Sequence, residues 1–253
     1  MAPGPVHEWK GSGDRRGAAI PTSGATDMKA SITSPRRSFA KAGISAPPAG
    51  FQRAGAHITW HQGTLERTRR WEALGQQGAT IWLTGLPAAG KSTIAAAVEE
   101  RLVESGRPAY RLDGDNLRHG ICADLGFTRA DREENVWRVG QVAHLFADAG
   151  TIALVSLISP YARCREQVRR LHEAEELTFI EVFVDTPADV CASRDPKGLY
   201  AKAYAGELRG LTGVDDPYEP PPHPELVLGP CIGIEEAVDA IMITLEGKLS
   251  QIG

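Results

Sequence analysis

Residues 85–93 read GLPAAGKST and follow the apolar run ATIWLT at 79–84. Gly85 to Ser92 fits the pattern GxxxxGK[ST] in full, and it falls between a strand-like run and a helix-like one. That context is the one a phosphate-binding loop requires. Gly85 and Gly90 permit backbone conformations closed to other residues, so successive N–H groups can turn toward an anion. The helix that follows adds the partial positive charge of its N-terminus. Lys91 is placed to reach the β- and γ-phosphates of a nucleotide, and the Ser92 hydroxyl to hold Mg²⁺.

Outward from this loop the chain alternates strand-length apolar runs with helical patterns. STIAAAVEERLVES is helical and closes at Gly106; PAYRLDGD, TIALVSLIS, FIEVFVDT and ELVLGP are further strand candidates. Helical patterns run from Asp131 to Ala149, closed by Gly150, and from Pro160 to Glu176. Alternation of this kind predicts a three-layer α/β fold, a parallel β-sheet with helices on both faces. TIALVSLI lacks polar alternation, as a strand buried on both faces should. Ligands of such a sheet bind along the edge formed by the strand C-termini. Residues 194–224 are rich in Gly, Pro and charge, too long for an ordinary connection, and have the profile of a mobile lid. The core of the domain is read as residues 79–230, within a domain spanning 56–253.

The 253 residues are 42% hydrophobic and 24% charged, ordinary values for a soluble globular protein. A net charge of -4 argues against an overall attraction to nucleic acid or to a membrane surface. No apolar run approaches the ~18 residues needed to span a bilayer. Cys122, Cys164, Cys191 and Cys231 are scattered without metal-ligand spacing, as idle thiols in a reducing, cytoplasmic setting would be. Residues 1–55 differ from the rest, with eight Lys/Arg against three Asp/Glu and no periodicity. They read as a disordered extension or, being rich in Arg and Ser, as a transit peptide for an organelle such as a plastid.

DGDNLRHG, residues 113–120, is the second informative stretch. Asp113 and Asp115 are two apart, and in extended backbone that spacing points both carboxylates to one side. Beside a triphosphate they suit a bound cation and an attacking hydroxyl. The other reading of the same residues is an Asp-Gly turn with an Asp helix cap. FVD, ending at Asp185, is a second candidate for a strand-end aspartate near a metal. In LGFTRADREENVWRVG, Thr128 and Asp131 form a loose capping box. Val136, Val139, Val142 and Leu145 mark the buried face of the helix they open, while Arg132 and Asn135 are neighbours on another face. In ISPYARCREQVRR, Ser159 and Pro160 stand where N-cap and N1 of the next helix are expected. The guanine-reading signature NKxD is absent, and the chain is small for a motor ATPase.

Together the P-loop, DGDNLRHG, DLGFTRADREEN, ISPYARCR, DPKGLYAKA and LTGVDDPYEPP resemble adenylylsulfate kinase (APS kinase), from about His57 to Leu228. The resemblance implies a P-loop kinase fold and transfer of the γ-phosphate of ATP, with Mg²⁺, to the ribose 3′-hydroxyl of adenosine 5′-phosphosulfate. It assigns Gly85, Leu86, Pro87, Ala88, Ala89, Gly90, Lys91, Ser92 and Thr93 to the ATP phosphates. Asp113 and Asp115 would then sit at the attacking hydroxyl and the metal, with Ser92 and Asp113 as metal ligands. Arg118, Arg132 and Asn135 would hold the phosphosulfate nucleotide, Phe127 would stack on its adenine, and Ile158 and Ser159 would contact it. Arg194, Lys197 and Gly198 would close over ATP, with Lys197 also facing the acceptor. Ser159 is the position described in the family as a phosphoserine intermediate, yet no His or other base lies near it in sequence to activate it. Direct in-line transfer is the alternative. A homodimer, and a sulfurylase that supplies the sulfated nucleotide, are also implied.

The chain departs from the family pattern at Leu211, where an aromatic on the second adenine face is usual, and at Tyr204, where the lid usually carries an arginine. Leu157 replaces a common Phe, and Pro87 a common Ser. These changes predict weaker substrate affinity with intact chemistry, restored in part by Leu211→Phe. A related kinase acting on another hydroxyl and a non-catalytic nucleotide-binding subunit are the competing readings. The second of these predicts damage at Lys91, Ser92, Asp113 or Asp115, and all four are present.

Overall fold

Every residue of Ala79–Thr84 is buried, and this strand, β1, is the centre of the sheet. The computed structural model describes residues 63–251. The readings made on residues 1–55 and the boundary at 56 lie outside those residues. The elements are α1 (Arg67–Leu74), β1, α2 (Lys91–Glu104), β2 (Ala109–Asp113), α3 (Gly114–Leu117), α4 (Arg129–Ala149) and β3 (Ile152–Ser156). There follow α5 (Ala162–Ala174), β4 (Thr178–Val184), α6 (Ala188–Arg194), α7 (Leu199–Tyr204), β5 (Leu226–Leu228) and α8 (Ile234–Leu249).

The five strands pair in parallel in the order β2-β3-β1-β4-β5. Helices α2 and α8 cover one face, α4 and α5 the other. The two-residue period of a strand sorts the side chains between them. Ile81 and Leu83 join the core under α2 and α8, together with Ile152, Leu154, Ile180 and Val182. Trp82 points the other way and meets Ala153, Val155, Phe179, Val136 and Val168 under α4 and α5. A parallel sheet brings all its strand C-termini to one edge, and here the ends of β1, β2 and β3 lie side by side there.

Helix α4 begins as the capping pattern predicts. The Thr128 side chain accepts from Asp131 N–H, and the Asp131 carboxylate accepts from Thr128 N–H. Its buried face differs in part from the expected one. Val136 and Val139 are buried with Ala143 and Ala147, whereas Leu145 is 65% exposed. Leu145 lies nine residues beyond Val136, half a turn out of phase at 3.6 residues per turn.

The start of α5 also differs from the sequence expectation. The N-cap is Tyr161 and the helix opens at Ala162, so Ser159 and Pro160 stand outside it. The Ala162 N–H is satisfied from a distance, by the Glu219 carboxylate at 2.8 Å. Residues 194–224 hold more than loop. They include α7 and a turn bridged at Thr212 and Asp216, in which the Asp215 carboxylate accepts from the N–H groups of Gly210 and Leu211. Among the described residues no helix is long and apolar enough to cross a membrane.

Candidate active site

The loop between β1 and α2 is shaped by three residues of positive φ: Gly85 (φ 150), Ala88 (φ 61) and Gly90 (φ 106). A Cβ on Gly85 would meet the Val184 carbonyl oxygen at 2.6 Å, so the close approach of β4 also demands glycine there. Its carbonyls are taken up from outside the loop. Thr186 Oγ1 and an Arg194 guanidinium N–H both donate to Ala89 O, at 3.0 and 3.2 Å, and the Tyr200 hydroxyl donates to Pro87 O at 3.1 Å. Lys91 folds back over the loop and donates to Gly85 O and Leu86 O at 2.9 and 2.7 Å. Burial lowers its ammonium pKa to about 8, against the opposing pull of Cys191, Asp113 and Asp115.

Asp113 ends β2 directly opposite Ser156 of β3. Its Oδ2 accepts from the Ser92 hydroxyl at 2.7 Å and from the Ser156 hydroxyl at 2.9 Å. Its Oδ1 accepts from Asp115 N–H at 3.1 Å, making Asp113 the N-cap of α3 as well. Burial raises the pKa of this carboxyl, but the bonds from Ser92, Ser156 and the backbone outweigh it and hold the group below its ordinary value. Asp113 is therefore ionised at neutral pH. The extended geometry expected for DGD is not what forms. Asp115 already belongs to α3 and turns away to an ion pair with Lys197, so the two carboxylates diverge.

One cavity of about 630 Å³ gathers most of the predicted site. Pro87, Ala88, Ala89, Gly90, Lys91, Ser92 and Thr93 line it together with Asp113, Asp115, Arg118, Phe127, Arg132 and Asn135. Ile158, Ser159, Arg194 and Lys197 complete the set. Phe127 is 65% exposed at the mouth, flanked by the guanidinium groups of Arg118 and Arg132, 4.4 and 5.7 Å from its ring centre. Arg132 also donates to Phe127 O and Gly210 O, at 3.0 and 2.6 Å. The Asn135 side-chain nitrogen is buried without a conventional hydrogen-bond partner, and the side chain lies against the Cys122 thiol. Gly85 and Leu86 are not in the lining, and neither is Leu211. Leu211 is 6% exposed and packs in the core under α2 and α8, so the structure does not bring it to the adenine-stacking position read from the sequence.

Ser159 lines the cavity with its hydroxyl already engaged. That oxygen accepts from Trp82 Nε1–H at 3.1 Å and donates to Thr84 Oγ1 at 3.0 Å. Such a hydroxyl, without a neighbouring base, is poorly prepared to be a nucleophile. Sequence reading missed Ser156 and Thr186, the 229–233 loop that also contributes to the lining, and Thr84, which bonds Ile158 O and the Ser159 hydroxyl. Ser156 becomes visible as a partner of Asp113 only when the order of β2 and β3 is known.

Among the described residues no cluster of three or more His, Cys, Asp or Glu could hold a metal. Mg²⁺ would not need one, since it takes one or two protein oxygens and fills its remaining positions with phosphates and water. The Ser92 hydroxyl and Asp113 carboxylate, in contact beside the P-loop, are hard oxygen donors of this kind.

A family model described as adenylylsulphate kinase matches residues 77–229. An adenylyl-sulfate kinase of Geotalea uraniireducens is 48% identical over 200 residues, covering 79% of this chain and 95% of that protein. One of Aeromonas salmonicida is 54% identical over 173 residues, covering 68% and 87%. A solved structure of the Mycobacterium tuberculosis APS kinase CysC, in complex with AMPPNP and APS, is 51% identical with a TM-score of 0.66. It covers 68% of this chain and 99% of that one.

Proposed function

The chain belongs to the adenylylsulphate kinase family, and from that premise we propose that it transfers the γ-phosphate of ATP to the ribose 3′-hydroxyl of adenosine 5′-phosphosulfate, giving PAPS and ADP. The observation that carries this reading is the single cavity in which the P-loop and Asp113 face Arg118, Phe127, Arg132 and Asn135. One side offers a triphosphate site; the other offers two guanidinium groups for an anionic substrate and an exposed ring for its base.

In this reading the P-loop amides and Lys91 hold the ATP phosphates, while Ser92 and Asp113 supply the protein's oxygens to Mg²⁺. When bound, that ion neutralises charge on the β- and γ-phosphates. Asp113 would accept a hydrogen bond from the attacking hydroxyl. As the new O–P bond forms, the bond from the γ-phosphorus to the bridging oxygen of ADP breaks. The hydroxyl proton passes to Asp113 and on to solvent. A carboxylate held below its ordinary pKa is a weak base but a steady acceptor, and a loose transition state needs alignment more than deprotonation. With its hydroxyl engaged by Trp82 and Thr84, Ser159 contributes by fixing the substrate loop, which favours direct in-line transfer. Asp115, paired with Lys197 at the mouth, helps the 194–199 segment close over the nucleotides.

We extend the reading to a homodimer in the cytoplasm, fed by a sulfurylase. Four free cysteines, three of them buried, support a reducing compartment. The test is ADP release from Mg-ATP with adenosine 5′-phosphosulfate, beside AMP and no-acceptor controls. Release that depends on the phosphosulfate is expected. Release without any acceptor would identify an ATPase, and ATP binding without release would move the assignment to another hydroxyl.

A further inference from the structure

The segment Ile158–Ser159–Pro160 crosses the floor of the cavity with Ser159 at φ 41, in the left-handed region that a side chain seldom adopts. Such a conformation persists only where its surroundings over-determine it. Ile158 O accepts from the Thr84 hydroxyl at 2.8 Å, and Pro160 O accepts from Glu219 N–H at 2.8 Å. The carbonyl between them, that of Ser159, accepts from a guanidinium N–H of Arg165 at 2.6 Å.

Arg165 is 1% exposed and does not line the cavity. Standing in the second turn of α5, it spends its planar fork in three directions. Nε donates to Glu181 of β4 at 2.7 Å, one terminal nitrogen to Ser159 O, and the other to Glu219 O at 2.7 Å. The Glu219 carboxylate in turn receives the first N–H of α5. Glu181 is shared with Arg169, which is itself paired with Glu225, so the guanidinium is charge-balanced in the core. A lysine could keep the ion pair but could not reach both carbonyls in one plane.

We propose that Arg165 is a positioning residue for the acceptor nucleotide. It ties the Ile158–Pro160 floor to the chain at Glu219 and leaves the ATP half of the cavity to other supports. This rests on the proposed function, because it assigns the floor to the phosphosulfate side. The ATP half is held instead by Thr186, Arg194 and Tyr200, and Arg165 touches none of them among its hydrogen bonds.

The experiment is steady-state kinetics on the full chain and its Arg165→Lys variant, with adenosine 5′-phosphosulfate and Mg-ATP varied in turn. KM for the phosphosulfate is expected to rise about tenfold or more, the scale for loss of charge-assisted hydrogen bonds. KM for ATP is expected to stay within about twofold, since its supports are untouched. A second variant, Arg165→Met with Glu181→Leu, replaces the buried pair by apolar groups, a change that cores commonly tolerate, and still lacks both donors. It should show the same split even where Arg165→Lys fails to fold. Equal rises in both KM values, or an unchanged KM for the phosphosulfate in a folded variant, would overturn the proposal. Absence of phosphosulfate-dependent ADP release from the unaltered chain would instead overturn the functional reading beneath it.

Discussion

Asp113 does two jobs that one substitution can separate. As the cap of α3 it needs an oxygen acceptor, which asparagine also provides. As a partner of Ser92 and, in the proposed reaction, of the attacking hydroxyl, it would need charge. Asp113→Asn is therefore expected to melt within a few degrees of the parent chain while kcat for ADP release falls about 10²–10⁴-fold; a folded variant retaining a tenth of the rate would remove Asp113 from the chemistry. Leu211 points to an opposite expectation from the one its sequence context suggests. Its side chain fills space in the core, so Leu211→Phe adds volume to a packed site and should cost about 1–3 kcal/mol of stability without lowering KM for the phosphosulfate. Denaturant titration and substrate kinetics on the same preparation check both halves.

At the level of elements, α4 is the part through which stability and the proposed acceptor site meet. Its capping box holds the first turn, and Arg132 and Asn135 project from the second. Thr128→Ala removes one half of the box and is expected to cost about 1 kcal/mol in urea unfolding, with a larger effect on KM for the phosphosulfate than on KM for ATP. A loss of stability with both KM values fixed would show that the frayed turn still presents Arg132. The elements themselves were readable because local signals agreed with the tertiary outcome: Gly85 and Gly90 at the loop, Gly150 closing α4, and unbroken apolar runs for β1 and β3. Where reading failed, the deciding contact was remote in sequence. Ser159 looks like a helix cap, yet Arg165 claims its carbonyl and Glu219 N–H that of Pro160, and the helix starts at Ala162. Asp113 and Asp115 look like a pair on a strand, yet the cap turns one toward β3 and the other toward Lys197. Ala88 adopts a left-handed φ that no glycine announces.

The molecule as a whole carries a built-in sensitivity to acid. His172 is buried between α5 and β1, with Nδ1 facing Val168 O at 2.8 Å and Nε2 facing Thr80 Oγ1 at 2.8 Å. A carbonyl can only accept, so Nδ1 carries the proton and Nε2 receives the Thr80 hydroxyl. Burial lowers its pKa to about 4, and the edge of the His144 ring, itself lowered by burial, adds to the penalty. The folded pKa is thus below the unfolded one. Below about pH 6.5 the unfolded chain takes up a proton that the folded chain refuses, so stability falls with acidity down to about pH 4 and no further from this group. The slope is about 1.4 kcal/mol per pH unit in that window. Urea unfolding of the parent chain and of His172→Gln at pH 7, 6 and 5 isolates it, and parallel curves would contradict the argument. One more feature acts across the molecule. Thr186 and Arg194 grip the same oxygen, Ala89 O, while Tyr200 grips Pro87 O. The P-loop and the segment from Arg194 to Tyr200 are therefore moored to one another through those two carbonyls: in the proposed reaction, a phosphate that stiffens the loop would shorten the leash of the segment beside it.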